Sequence, residues 1–69
     1  MEKDAVEAVK CFRKAADLGN TDAMYNLGWC YLEGEGVEKD AVEAVKCFRK
    51  AADSGSVNAK TALKSLGKE

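Results

Sequence analysis

Three cysteines, Cys11, Cys30 and Cys47, carry the most reactive side chains in this sequence of 69 residues. A thiol serves as nucleophile, metal ligand or disulfide partner, and each role needs company. A nucleophilic cysteine needs a base to take its proton, and the chain has no histidine, which is both the commonest general base and the commonest metal ligand. An odd number of cysteines argues against a disulfide framework and for a reducing compartment. The reading that remains is that all three are small apolar packing residues, and the expectation is that they are buried.

The other reactive types are no more promising. Asp and Glu stand at helix starts and on polar faces, where capping and solubility explain them without a catalytic pair. Lys10 with Arg13 and Lys14, and Lys46 with Arg49 and Lys50, fall toward helix C-termini and complement the macrodipole there. Gly34-Glu35-Gly36 is a glycine loop, but it joins two helices, whereas phosphate-binding loops follow strands. Net charge is −1, from 11 basic and 12 acidic residues interspersed along the chain, which disfavours a nucleic-acid partner. No apolar run is long enough to cross a membrane, and Met1 opens no secretory signal pattern. Catalytic residues, cofactors and metals are accordingly expected to be none.

What organises the chain is a duplication. EKDAVEAVKCFRKAAD stands at Glu2–Asp17 and again, identical at all sixteen positions, at Glu38–Asp53. The 36-residue offset marks a helical or other repeat architecture. Identity over so long a string also fits a recent duplication or a designed sequence. Within each copy Ala41, Ala44, Val45, Phe48, Ala51 and Ala52, or their counterparts, fall within an arc of about 120° on a helix, with Glu43, Lys46, Lys50 and Asp53 opposite. Asp4 with Glu7, and Asp40 with Glu43, have capping-box spacing. Gly19 and Gly55 stand where a left-handed stop is needed. The spacing predicts helices over Asp4–Leu18 and Asp40–Ser54.

Asn20 and Ser56 are N-cap residue types and open two further helices, the last running from Val57 to about Leu66. In the second helix Ala23, Leu27 and Cys30 form one apolar flank and Met24, Gly28 and Tyr31 another, so it should lie between two neighbours. Gly28 is expected to let another backbone come close. The helix ends at Gly34-Glu35-Gly36-Val37, a reversal that uses positive φ. The fourth helix keeps Ala59, Leu63 and Leu66 but places Lys60 and Lys64 where Met24 and Gly28 stand, as a C-terminal cap with one neighbour would. A third group, Asp22, Tyr25, Trp29 and Leu32, lies opposite Leu27 on a face that both neighbours should leave free. It reads either as a binding surface or as Trp29 folded over a neighbour as partial core.

These residues resemble a tetratricopeptide-type helical hairpin: Leu27-Gly28-x2-Tyr31 matches its first helix and Ala44-x3-Phe48-x2-Ala51 its second. The period of 36 and the longer loop are closer to the Sel-one-like repeat (SLR). The positions carrying that likeness are Ala23, Leu27, Gly28, Tyr31, Gly34, Gly36, Val37, Asp40, Ala44, Ala51, Ala52 and Gly55. Its aromatic pair is half kept, as Cys47-Phe48. The resemblance implies an all-α fold of antiparallel helical-repeat hairpins, four helices forming an α-solenoid fragment. Residues 20–55 would be one complete repeat, 2–19 the second half of a preceding one, and 56–69 the first half of a following one. Secreted members carry paired cysteines where this chain has Ala16, Ala23, Ala52 and Ala59, which implies the intracellular type. In tetratricopeptide-like arrays the face of Asp22, Tyr25, Trp29 and Leu32 is the concave, ligand-facing side.

The expected function is a non-catalytic scaffold that binds protein or peptide. The alternative is a designed or excised repeat fragment whose main property is folding and self-association. The first helix has no preceding neighbour, so Ala5, Ala8, Val9 and Phe12 should leave an open apolar flank. That predicts a homodimer, by direct docking or by helix exchange hinged at residues 34–36.

Overall fold

The structure is a computed structural model and describes residues 3–67. Glu2, the first residue of the duplicated string, and Lys68 and Glu69 of the last segment lie outside them. The described chain is all-α, with four helices: α1 Lys3–Asp17, α2 Thr21–Glu33, α3 Ala41–Asp53 and α4 Val57–Ser65. Consecutive helices pack antiparallel. The Asp40 N–H donates to the Tyr31 carbonyl, Phe48 lies on Gly28, and Ser54 Oγ reaches Met24 Sδ at 4.0 Å. These three contacts run in opposite directions along α2 and α3. α2 therefore sits between α1 and α3, and α3 between α2 and α4.

Both tight connections have the same chemistry. After α1 the Asn20 N–H bonds the Ala15 carbonyl and the Gly19 N–H bonds the Ala16 carbonyl, each at 2.9 Å. After α3 Ser56 and Gly55 repeat the pair onto Ala51 and Ala52 at 3.0 Å. This is the double bond of a Schellman stop, and it needs a glycine at positive φ, here +94° at Gly19 and +105° at Gly55. Asn20 and Ser56 then cap the next helix, accepting from the N–H of Ala23 at 2.9 Å and of Ala59 at 3.0 Å. One residue closes one helix and opens the next, which keeps successive helices close and antiparallel.

The duplicated strings begin differently. Asp40 is a true N-cap in extended conformation, its carboxylate accepting from the Glu43 N–H at 3.1 Å. Asp4 instead lies inside the first turn of α1, so the expected cap there is not formed. The reciprocal half of the box at Asp40 is replaced too. The Asp40 N–H goes to Tyr31, and Glu43 pairs with Lys46 at 3.6 Å.

The core cluster comprises Met24, Ala44, Phe48, Ala51, Ala59, Ala62 and Leu63, with Phe48 the largest side chain fully out of solvent. Val9, Ala23 and Leu27 are buried on the α1 side. Small alanines let the helices approach until one phenyl ring fills the space between them. Gly28 is part of that fit. A Cβ there would stand 2.7 Å from Phe48 Cε1, so the glycine makes room for a ring and not, as expected from the sequence, for a backbone.

Candidate functional site

Two surfaces come from the sequence, one on α2 and one on α1. On α2, Asp22 is exposed and Tyr25, Trp29 and Leu32 are half-buried. The face is not left free by both neighbours. Tyr25, Trp29 and Leu32 all pack against the core cluster. The Trp29 ring meets Phe48 nearly edge-on, with centroids 5.4 Å apart and planes at 73°. Tyr25 reaches Phe48 at 5.8 Å and Trp29 at 6.3 Å. The three rings form a mutually oriented patch whose inner edges are core and whose outer surface meets solvent. Edge-to-face pairs of this kind hold the rings in place by more than area burial.

On α1 the four expected residues separate. Ala5, Ala8 and Phe12 are half-buried, but Val9 is 3% exposed and belongs to the interior. Its cover is the loop after α2. Gly36, at φ +75°, lies so close that a Cβ would run into the Ala5 carbonyl and stand 2.9 Å from Val9 Cγ2. That seating was not legible in the sequence, since it depends on where the loop lands. Arg13 adds to it, donating to the Tyr31 hydroxyl at 2.6 Å and tying α1 to the end of α2.

The same surface on α3 has no such cover among the described residues. Ala41, Val42, Val45, Lys46 and Arg49, the counterparts of Ala5, Val6, Val9, Lys10 and Arg13, line an open groove of about 360 Å³. Val42 is 66% exposed where Val6 is 40% exposed. The reason is length: α4 has 9 residues against 13 in α2. It therefore ends before the point at which α2 delivers its loop.

The cysteines are not core. Cys11 is exposed, and Cys30 and Cys47 are half-buried. Position 11 differs from its copy at 47 because α1 lacks the neighbour that shields α3. Partial burial pushes both half-buried thiols above their ordinary pKa, with Glu35 and Glu33 adding to the effect at Cys30 and Glu43 at Cys47. Lys50 and Arg13 oppose the shift at Cys47 without cancelling it. A raised thiol pKa means less thiolate, the reverse of what a nucleophile requires. No cluster of three or more Cys, His, Asp or Glu residues suited to a metal ion occurs among the described residues. No helix among them is long and apolar enough to cross a membrane.

With this geometry in view, comparison with known proteins adds one family and one relative. The model of a family described as the Sel1 repeat matches residues 1–20 and 21–56. Over 37 residues the chain is 49% identical to a Helicobacter pylori protein named "Putative beta-lactamase HcpC". That alignment covers 54% of this chain and 13% of the relative, so the chain spans a small part of that protein's length. No solved structure matches significantly.

Proposed function

This chain belongs to the Sel1 repeat family, whose repeats generally mediate protein–protein interaction, and from that premise we propose that it is a non-catalytic module binding protein or peptide through Asp22, Tyr25, Trp29 and Leu32. The observation that carries this reading is the aromatic patch. Trp29 and Tyr25 are held on Phe48 at 5.4 and 5.8 Å yet remain half-exposed beside an exposed carboxylate. Rigid aromatics at a partly hydrated surface lose little entropy on binding, which is why Trp and Tyr dominate interaction hot spots. The relative's name refers to an activity of that longer protein. In this chain the histidine-free sequence and the raised thiol pKa values support a scaffold over an enzyme. The reducing compartment implied by three unpaired cysteines accords with the same reading.

A selection of peptides from a random display library on the immobilised chain tests it. Asp22→Lys is the cleanest variant, since Asp22 is exposed and makes no part of the core. Selected peptides should lose about tenfold or more in affinity to Asp22→Lys and to Trp29→Ala. Peptides indifferent to both substitutions would overturn the assignment of this surface.

A second reading rests on a different observation. The same phenylalanine is 0% exposed as Phe48 and half-exposed as Phe12. The open flank of Ala8 and Phe12 supports self-association, with two copies docking α1 to α1 about a two-fold axis or exchanging helices at residues 34–36. Val9 and Ala5 take no part, since the Gly36 loop of the same chain lies on both. Sedimentation equilibrium over a hundredfold concentration range should show a dimer that Phe12→Glu dissociates. A folded monomer throughout would dispose of the idea.

A further inference from the structure

The duplicated string makes this protein its own reference. Residues 5–17 and 41–53 are the same thirteen residues in the same helical conformation, so α1 and α3 present the same surface. What covers that surface on α3 is visible. Ala44, Phe48 and Ala51 are all 0% exposed. The Phe48 ring lies on Gly28, flanked by Tyr25 and Trp29, with Met24 in the same cluster. Their counterparts on α1, namely Ala8, Phe12 and Ala15, are half-buried. The other flank of α1 is taken by α2, as the other flank of α3 is taken by α4. The seat left open on α1 is therefore the one that α2 fills on α3.

We infer that the Phe12 flank of α1 is a receptor for an amphipathic helix of the α2 pattern, a partner helix that sets a glycine on the Phe12 ring and places aromatic residues three positions before and one after it. The requirement for glycine is steric, because any Cβ at that point meets the ring carbons at under 3 Å. The aromatics supply the ring contacts that Tyr25, tilted, and Trp29, edge-on, make with Phe48. This excludes two obvious occupants. The α4 of another copy has Lys60, Thr61 and Lys64 where α2 has Met24, Tyr25 and Gly28, so a lysine would stand on the ring. The α2 of another intact copy already spends this flank on its own α3. The inference concerns the same face as the self-association reading but does not rest on it, since it names a different occupant.

The probe is a synthetic peptide of residues 20–36, labelled with fluorescein at its N-terminus and titrated with the intact chain by fluorescence anisotropy. Saturable binding is expected below about 1 mM. A peptide with Gly28→Val should bind at least about tenfold more weakly, and so should the wild-type peptide to a chain with Phe12→Glu. Circular dichroism of that chain should show its helices intact. The peptide substitution leaves the receptor untouched, so the test stands even if Phe12→Glu unfolds the chain. No saturation by about 1 mM, or equal affinity for the Gly28→Val peptide, overturns the inference. So does unchanged binding to folded Phe12→Glu, which would place the peptide in the socket of the native α2. Sedimentation without peptide reads self-association separately. A chain that stays monomeric and binds the peptide upholds this inference and removes the dimer, and a dimer that ignores the peptide does the reverse.

Discussion

Phe12→Ala and Phe48→Ala are the same substitution in the same local sequence, from residues 2–17 and 38–53. Any method that weighs only local propensity must assign them equal cost. Packing assigns them very different ones. Phe48 is 0% exposed, lies against Gly28, Tyr25 and Trp29, and anchors the core shared by α2, α3 and α4. Removing a ring so enclosed loses its transfer free energy and leaves a cavity, about 3–5 kcal/mol together. Phe12 has one covering helix and stays half-buried. Its loss forgoes only part of the roughly 1.5–3 kcal/mol that full burial of such a side chain supplies, and water fills the space, so about 1 kcal/mol is expected. A domain of this size has roughly 4–10 kcal/mol in total. Phe48→Ala should therefore bring it to the edge of unfolding at 25 °C, while Phe12→Ala lowers Tm by about 4–8 °C. Urea titration followed by circular dichroism at 222 nm measures both, at a concentration low enough that self-association does not bury Phe12. Equal losses from the two substitutions would refute the argument that tertiary neighbours separate these identical sites.

Three further outcomes follow from particular contacts. Gly28→Ala should destabilise by about 1–3 kcal/mol in chemical denaturation, because overpacking against Phe48 outweighs the roughly 1 kcal/mol of helix propensity that alanine offers; a more stable variant would mean that the ring moves freely. Asp40→Ala should cost about 1 kcal/mol through loss of the cap on Glu43, and Asp4→Ala less, since Asp4 lies within the first turn of α1 and not at its N-cap; equal melting shifts would contradict the two different helix starts. In native labelling with a thiol reagent Cys11 should react first, with Cys30 and Cys47 slower at pH 8 because burial raises their pKa. The folded state holds those two protons more tightly than the unfolded chain. Their stabilising contribution is thus complete below the ordinary thiol pKa and declines as pH rises through the raised one, and removal of both by Cys→Ala should flatten the alkaline fall in Tm.

The four helices of the described residues, the caps at Asn20, Asp40 and Ser56 and the two tight connections were legible in the residues, whereas the start expected at Asp4 was not. They depend on groups a few positions apart: Gly19 with Asn20, Gly55 with Ser56, and an apolar stripe at helical spacing. The candidate surfaces were legible only in part. The sequence placed Trp29 and Tyr25 on one side of α2, but which rings they touch depends on how deeply Phe48 sinks toward Gly28. Val9 was assigned to an open flank and is buried, because a loop 27 residues further on, at Gly36, comes to rest on it. The cysteines were expected inside and are not. Position 11 turns outward for want of a neighbour, and positions 30 and 47 lie at the margins of their helix contacts.

The division between sequence and tertiary structure is sharpest at the duplicated string. By itself that string determines a helix and its polar and apolar faces, and it does so in both places, because these depend on backbone geometry and on contacts within about one turn; the Schellman stops come from the glycines just beyond it, Gly19 and Gly55. It cannot determine burial. Phe48 and Phe12, Val45 and Val9, and Cys47 and Cys11 are paired copies that end in different surroundings. Burial is a property of what stands opposite. α3 has α2 and α4 on its two sides, whereas α1 has α2 and the Gly36 loop on one side and solvent on the other. The same sixteen residues thus make the centre of the core in one place and an open seat in the other.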